Sequence, residues 1–221
     1  MRRFPPLLFV LVTCAVLAFP GSANAAGKRI AIWHMGDLGG DRQTMRDTSP
    51  SVPSNDGTTT DITIVNGWDG YGYRFNGTTS RVVVPDSPSL DPGKQNVQIT
   101  AHVKFGARPR SGVYALVTKG GGKTPYYKMM ISSKGKAVCS FRGGLRSASV
   151  HGANALADRH WHTIVCAKRG RSISVTVDGA TTTASVRVGA IFNARRLFVG
   201  SGAGGGSKYR GIMDEVNIRV G

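Results

Sequence analysis

Acidic side chains are scarce in this sequence of 221 residues. Glu215 is the only glutamate, and twelve acidic residues in all accompany 29 lysines and arginines, which gives a formal net charge of +17. Glycoside cleavage normally needs two carboxylates that face each other across the sugar. The only adjacent acids, Asp214 and Glu215, should point to opposite faces of a strand. The sequence therefore leaves few candidates for carboxylate chemistry and disfavours a glycosidase.

Long apolar runs are missing after residue 25, so no transmembrane helix is expected there. Residues 1–25 combine a basic start, an apolar stretch from Leu7 to Phe19 and an A-x-A ending at Ala25, the pattern of a secretory signal peptide. A lipoprotein cleavage before Cys14 is the alternative, but Thr13 suits it poorly. We expect a leader over 1–25, a single domain over 26–221 with a charge of +15, and a secreted or cell-envelope location.

Cysteine occurs three times, and one of the three lies in the expected leader. The other two, Cys139 and Cys166, each lie within an alternating apolar run. An even pair in an oxidising compartment predicts a disulfide between neighbouring strands, which would stabilise the fold by about 3.5 kcal/mol in the chain-entropy model. Two buried free thiols are the alternative.

Helical periodicity is absent, whereas a period of two runs along most of the chain. From Val97 to Phe105, apolar residues alternate with polar ones, as in a strand with one face on a core. Asp178-Gly179 separates two such runs and predicts a hairpin turn. About a dozen short strands predict an antiparallel sandwich, with long loops at 47–61 and 202–208.

Several stretches, in this order, resemble laminin G-like domains of the concanavalin A-like lectin/glucanase superfamily, exported bacterial type. They are Phe75-Asn-Gly77, Ser80 to Leu90, Val97 to Phe105, Leu116 to Gly120, Asp158 to Thr163, Val175 to Gly179 and Tyr209 to Ile218. The resemblance implies an all-β fold, a two-sheet antiparallel jelly-roll sandwich. It also implies glycan or protein binding, although some relatives hydrolyse polysaccharides, so function has to be argued from the sites.

The same resemblance suggests a structural Ca²⁺, held by an Asp of the last strand and an acid after the first. Asp214 and Asp37 occupy those places, and Asp47 and Asp56 are alternative partners for Asp214. In the other interpretation Asp214 caps a turn or pairs with an arginine such as Arg210. No other cofactor is expected.

His160 and His162 share a strand face, the geometry in which a pair of histidines can bind zinc. A third ligand cannot be placed from the sequence. We expect instead that Trp161 fills the core while His162 forms hydrogen bonds on the opposite face.

Basic residues concentrate in predicted turns and should form a cationic rim that attracts anionic polymers. Alternatively, these basic residues form a solvated surface that only keeps the protein soluble. No nucleic-acid motif appears, and neither Gly120-Gly-Gly-Lys123 nor Gly200 to Gly205 has the context of a phosphate loop. Tyr126 or Tyr127 should lie outward for sugar stacking. The ligand-binding candidates are Trp68, Tyr126, Lys123, Lys128, Lys208 and Arg210.

These observations predict an exported, non-catalytic module that binds extracellular or cell-envelope carbohydrate, preferably anionic, through rim loops and one sheet face. The alternatives are a protein-binding or structural envelope component and, third, a polysaccharide hydrolase.

Overall fold

The computed structural model describes residues 27–36 and 43–221, which form sixteen strands and one short 3-10 helix, Pro88–Leu90. The expected leader over 1–25 and the candidate ligand Asp37 lie outside these residues. All strand pairs are antiparallel, and the strands form two sheets of eight, as predicted for a jelly-roll sandwich.

The first sheet, sheet A, contains the strands that carry most of the candidate site. In spatial order they are β14 (Ala180–Ser185), β13 (Ser172–Val177), β12 (Trp161–Arg169), β7 (Val97–Lys104), β16 (Arg210–Val220), β5 (Tyr71–Asn76) and β4 (Thr63–Asn66), with β1 (Lys28–Trp33) paired to the second half of β16.

The second sheet, sheet B, faces it across the core. Its strands in spatial order are β11 (Ser147–Ala155), β10 (Lys136–Arg142), β9 (Tyr126–Ser132), β8 (Val113–Lys119), β15 (Leu197–Val199), β6 (Arg81–Val84), β3 (Gly57–Thr60) and β2 (Thr44–Met45).

The predicted alternation is confirmed most clearly in β7, where every second residue from Val97 to Val103 is buried and the intervening ones are partly exposed. The hairpin at Asp178-Gly179 is also confirmed. Both residues have positive φ, 48° and 87°, as a two-residue turn between twisted strands requires. The predicted loop at 47–61 is wrong in part, because Gly57–Thr60 forms β3 and pairs with β6.

The disulfide Cys139–Cys166 is present, with a Cα–Cα distance of 5.3 Å and a sequence separation of 27 residues. The sequence had suggested a bond between neighbouring strands, and this expectation is wrong. Cys139 lies on β10 of sheet B and Cys166 on β12 of sheet A, and both are fully buried, so the bond ties the two sheets together through the core. Alternation in each strand indicates that the cysteines are buried, but it does not tell which sheet each strand joins.

Candidate functional site

A tight turn between β4 and β5 carries Trp68, and a buried carboxylate holds that turn in place. Asp214 Oδ2 accepts hydrogen bonds from the main-chain N–H groups of Trp68 (2.8 Å) and Asp69 (3.0 Å), and its Oδ1 accepts one from Glu215 (2.8 Å). Asp214 has no exposed surface. Burial raises the pKa of this carboxyl despite the three N–H donors, which act in the opposite direction. The turn is therefore anchored to the central strand of sheet A.

The Trp68 side chain lies on the outer face of sheet A against two other aromatic rings. It stacks on His102 of β7, with ring centroids 4.7 Å apart and planes at 14°, and it meets Trp161 of β12 edge-on at 6.1 Å. Half of Trp68 remains exposed, at 51%. We call Trp68, His102 and Trp161 the aromatic platform.

His102 is fixed beneath Trp68 by its neighbours. Its Nδ1 lies 3.0 Å from the Thr163 hydroxyl on the adjacent strand. Burial lowers the pKa of His102, although the carboxylates of Glu215 and Asp178 act to raise it. The neutral ring is therefore favoured near neutral pH, and it offers a flat surface on which the indole can rest.

The expectation that Trp161 fills the core is wrong. Ile164 and Cys166 face the core, so Trp161 projects to the outer face with Thr163, whereas His162 lies on the core side near the start of β12. The His162 ring is hydrogen-bonded at both nitrogens, to Asp178 (2.7 Å) and Asp158 (3.0 Å). His162 is thus held between two carboxylates. The expected hydrogen bonds of His162 are confirmed. The expected sides of the sheet are reversed, because Trp161 lies on the outer face and His162 on the core side.

Beside the aromatic platform, one row across sheet A carries positive charge. In this row Arg74, Ile212, Lys104 and Trp161 are paired in register on successive strands. A cavity of about 580 Å³ lies next to the row and has Arg74, Lys104, Arg159 and Arg210 in its lining. We call it the arginine cavity. It brings the predicted candidate Arg210 to the sheet face that carries Trp68.

Three other candidates lie on sheet B instead. Alternation predicted that one tyrosine of the pair lies outward; it is Tyr126, whereas Tyr127 is buried, and the Lys128 ammonium sits 4.3 Å above the Tyr126 ring. Lys128 borders a cleft of about 840 Å³ that also involves Arg195, Arg196 and the glycine loops at 120–122 and 202–206. Lys123 is exposed in the turn that follows the first of these loops.

Lys208 is separate from both places. Its Nζ donates to the carbonyl of Thr79 (3.4 Å) in the turn that follows β5. Burial, followed by the nearby charge of Arg81, lowers the pKa of Lys208. The sequence candidates are thus divided between two sheet faces and do not form one site.

Among the described residues, the carboxylate of the calcium candidate Asp214 is already bonded to the main chain. Both oxygens of Asp214 already accept main-chain N–H groups, and no cluster of three or more His, Cys, Asp or Glu residues within 27–36 and 43–221 is arranged to hold a metal. Asp47 is occupied elsewhere, accepting hydrogen bonds from Ile32, Ser49 and Asn55. Since Asp37 lies outside the described residues, the calcium site with Asp37 stays a prediction.

Asp214 and Glu215 do not alternate as a regular strand would require. A β-bulge interrupts β16 between Asp214 and Asn217, and Glu215 has a φ of 50°. Glu215 is bound to His34, with Oε1 2.6 Å from Nδ1. Because Asp214 is fully buried beneath the turn, it cannot reach a polymer on the surface. This acid pair therefore lacks the geometry of two carboxylates that face each other across a sugar.

Sequence reasoning missed most of the platform and the arginine cavity. His102, Trp161, Arg74, Lys104 and Arg159 were not among the candidates. The signal available was that His102 and Lys104 occupy the polar positions of a strongly alternating strand, which places both on the outer face. What the sequence did not contain was the pairing of β7 with β12 and β16, which brings these residues together.

Comparison with solved structures shows the same fold at low sequence identity. The binding domain of Paraclostridial Mosquitocidal Protein 1 aligns with a TM-score of 0.69 and 14% identity over 87% of this chain and 48% of that one. Domain 4 of AbnA, a GH43 extracellular arabinanase from Geobacillus stearothermophilus, in complex with arabinotriose, gives 0.63 and 14% over 89% and 94%. The binding domain of botulinum neurotoxin DC in complex with rat synaptotagmin II gives 0.64 and 9% over 87% and 48%.

The chain thus spans about half the length of the two toxin binding domains and nearly all of the arabinanase domain. No curated protein matches it significantly. Within the described ranges, no helix has the length and apolar character needed to cross a bilayer.

Residues 76–219, well over half of the sequence, match the Laminin_G_3 family. The match includes β7 and β12, which carry His102 and Trp161 of the aromatic platform, and all of β16 but its last residue. It agrees with the two-sheet architecture and with the resemblance noted in the sequence. The chain belongs to this laminin G-like family of the concanavalin A-like lectin/glucanases superfamily.

Proposed function

We propose that this protein is a non-catalytic carbohydrate-binding module, and that its ligand is an extracellular or cell-envelope polysaccharide that carries acidic groups. The observation that carries the proposal is the aromatic platform, in which a half-exposed Trp68 rests on His102 on an open sheet face. One face of the indole is covered by the imidazole. The other is available to a ligand.

Aromatic rings bind sugars through the apolar C–H face of the pyranose or furanose ring. Such a contact is worth most when the aromatic side chain loses little freedom on binding. Trp68 meets this condition because its main chain is tied to Asp214 and its ring is packed against His102 and Trp161. The platform is therefore preorganised.

The arginine cavity favours an acidic polymer over a neutral one. Arg74, Lys104, Arg159 and Arg210 contribute four positive charges, and none of the residues lining the cavity is acidic. Guanidinium groups recognise carboxylates and sulfates through paired hydrogen bonds. A sugar stacked on Trp68 would place an acidic group of a neighbouring residue within reach of these cations.

The relatives and the expected export support the proposal. The arabinanase domain was solved with arabinotriose, and its length matches that of this chain. The disulfide between the sheets fits an oxidising, extracellular location. A calcium ion bound by Asp214 and Asp37 belongs to the proposal as a structural ion only.

A protein-binding role is the second candidate, and one observation favours it. Tyr71, 57% exposed, begins β5 directly after the turn that carries Trp68, so two exposed aromatic residues lie three positions apart in the chain. Exposed aromatic patches of this kind also mark protein interfaces. The neurotoxin domain solved with synaptotagmin II has the same fold.

The test is co-sedimentation of the oxidised protein, residues 26–221, with insoluble cell-wall polysaccharide. Binding is measured at low and physiological salt, with and without soluble acidic oligosaccharide. Trp68→Ala is compared with Phe192→Ala, which removes an aromatic side chain of similar exposure outside the platform. We expect retention at physiological salt, reversal by the oligosaccharide, and loss with Trp68→Ala only.

Three results would count against the proposal. Binding that disappears at physiological salt would show only charge attraction between the protein and the polysaccharide. An equal loss of polysaccharide binding in Phe192→Ala would show that the aromatic platform is not the binding surface. Absence of polysaccharide binding would favour a protein partner. Release of reducing ends during the incubation would indicate a hydrolase.

A further inference from the structure

Two lysines of this protein face the core of the sandwich, one on each sheet. Lys119 ends β8 and is paired in register with the buried Tyr127 and Leu197. Lys168 lies near the end of β12 and is paired with the buried Val97 and Ile173. Both are almost completely buried, at 0% and 3% exposed. A buried ammonium group needs compensating partners, so the surroundings of the two can be compared directly.

Lys119 has a full set of partners. Its Nζ lies 2.5 Å from Asp86 Oδ1 and 3.3 Å from Asp91 Oδ1, and it donates to the carbonyl groups of Asn193 and Arg195. Two carboxylates therefore balance its charge. This cluster is complete without a ligand.

Lys168 has the main-chain contacts but not the carboxylates. Its Nζ donates to the carbonyls of Gln95 (2.7 Å) and Lys94 (3.4 Å), and no Asp or Glu among the described residues forms an ion pair with it. Burial lowers the pKa of Lys168, and no neighbouring acid acts to raise it. The charge of this ammonium is thus left uncompensated at the end of the core.

The uncompensated lysine borders a cavity of about 680 Å³, within the usual range for ligand sites. Lys94, Arg171 and Arg187 also line it, and no acidic residue does. Leu145, which is 63% exposed, and Ala190 supply apolar surface. The cavity therefore combines four positive charges with an apolar wall.

We propose that this cavity binds an organic anion, whose carboxylate or phosphate group pairs with Lys168 and whose apolar part lies against Leu145. The anion supplies the charge that Asp86 and Asp91 supply to Lys119. Arg171 and Arg187 at the exposed rim attract the same group and can form paired hydrogen bonds with it. The site does not depend on the aromatic platform, because no residue of that platform lines this cavity.

Calorimetric titration of the oxidised protein, residues 26–221, at constant ionic strength tests the proposal. Three probes of equal chain length are used: octanoate, octyl phosphate and neutral octanol. We expect saturable binding of at least one anion at a single site, with octanol weaker by about tenfold or more. The two anions distinguish a carboxylate ligand from a phosphate ligand. Octanol binding as tightly as both anions, or no saturable binding of either anion, would overturn the proposal.

Lys168→Met keeps the length of the side chain and removes the charge. It should weaken binding of the anion by about tenfold or more. Lys134→Met makes the same change on an exposed turn and should leave binding unaltered. Equal affinities for Lys168→Met and the unaltered protein, or equal losses in both variants, would overturn the assignment of Lys168.

A loss of binding must be separated from a loss of folding. Because Lys168 carries an uncompensated buried charge, Lys168→Met should unfold at the same temperature as the unaltered protein or a higher one. Should it fail to fold, Arg171→Gln combined with Arg187→Gln alters only exposed side chains of the rim and should weaken anion binding. Full retention of anion binding in that double variant would overturn the proposal.

Discussion

The indole of Trp68 stacks on the imidazole of His102, although 34 residues separate the two in the chain and they belong to different parts of sheet A. The strand β16 lies between their strands, and Asp214 in β16 binds the turn that carries Trp68. A substitution of Asp214 should therefore alter the position of Trp68 on the proposed ligand-binding surface, although Asp214 itself contacts no ligand.

Asp214→Ala leaves the main-chain N–H groups of Trp68, Asp69 and Glu215 without their acceptor. We expect a loss of about 1 to 3 kcal/mol in the free energy of unfolding, because a fully buried acceptor is removed and its three partly buried donors are left unpaired. Affinity for the polysaccharide should fall as well, since Trp68 is no longer held. Urea unfolding and the near-ultraviolet circular dichroism of the tryptophans measure the two effects. An unchanged tryptophan signal would contradict the positioning role of Asp214.

The His162 cluster predicts a pH dependence of stability. Burial alone would lower the pKa of His162, but hydrogen bonds to Asp178 and Asp158 outweigh it and raise the pKa above 6.5. The stabilisation by the charged ring is therefore complete below about pH 6.5 and is lost as the pH rises through the higher value of the folded state. The two carboxylate partners are about half exposed, at 48% for Asp158 and 49% for Asp178, so the effect should be small.

The contribution of His162 is isolated by comparing the unaltered protein with His162→Gln. Urea midpoints between about pH 5 and 8 should show the difference shrinking as the pH rises. His151→Gln alters an exposed histidine and should leave the profile unchanged. A difference that is constant with pH would show that packing, not charge, accounts for the role of His162.

Lys119→Met breaks the buried ion cluster and leaves Asp86 and Asp91 without their counter-charge. Removal of one partner from a buried ion pair costs about 3 to 5 kcal/mol, and partial exposure of Asp86 places the expected loss near the lower end. Chemical denaturation measures it. The contrast with Lys168→Met, which should be neutral or stabilising, provides an internal control of similar burial and side-chain volume.

The disulfide should contribute about 3.5 kcal/mol to stability in the chain-entropy model. Replacing Cys139 and Cys166 together by alanine removes this constraint, and reduction of the unaltered protein should lower the urea midpoint to a similar extent. Polysaccharide binding of the folded double variant should persist, because the two sulfurs lie in the core, away from the aromatic platform. Loss of binding with retention of the fold would show that the spacing between the sheets controls the ligand surface.

Local patterns in the sequence predicted what depends on neighbouring residues. Alternation predicted that one of Tyr126 and Tyr127 lies outward, and Asp178-Gly179 marked its hairpin. The same rule failed at Glu215, because a bulge inserted into β16 interrupts alternation and no residue pattern announces it. The expectation for Trp161 was wrong although alternation held, because counting back from the buried Ile164 and Cys166 places Trp161 on the outer face.

Properties that depend on distant strands could not be predicted in this way. Nothing in the sequence distinguishes Lys119 from Lys168, since each is a basic residue near the end of an alternating run. Only the fold brings Asp86 and Asp91 to Lys119. Lys168 lies instead beside a cavity lined by Leu145 and Ala190. The pairing of Trp68 with His102 likewise depends on the order of strands, which a single sequence leaves open.

The place of β16 between β5 and β7 also limits when the protein can fold. Residues 210–220 are synthesised after every other strand, yet they form the middle of sheet A. A ribosome-bound chain that lacks them has no strand to join β5 to β7 and no carboxylate to anchor the Trp68 turn. Sheet A can therefore close only once these residues are present, through contacts between residues that are far apart in the sequence and that form slowly.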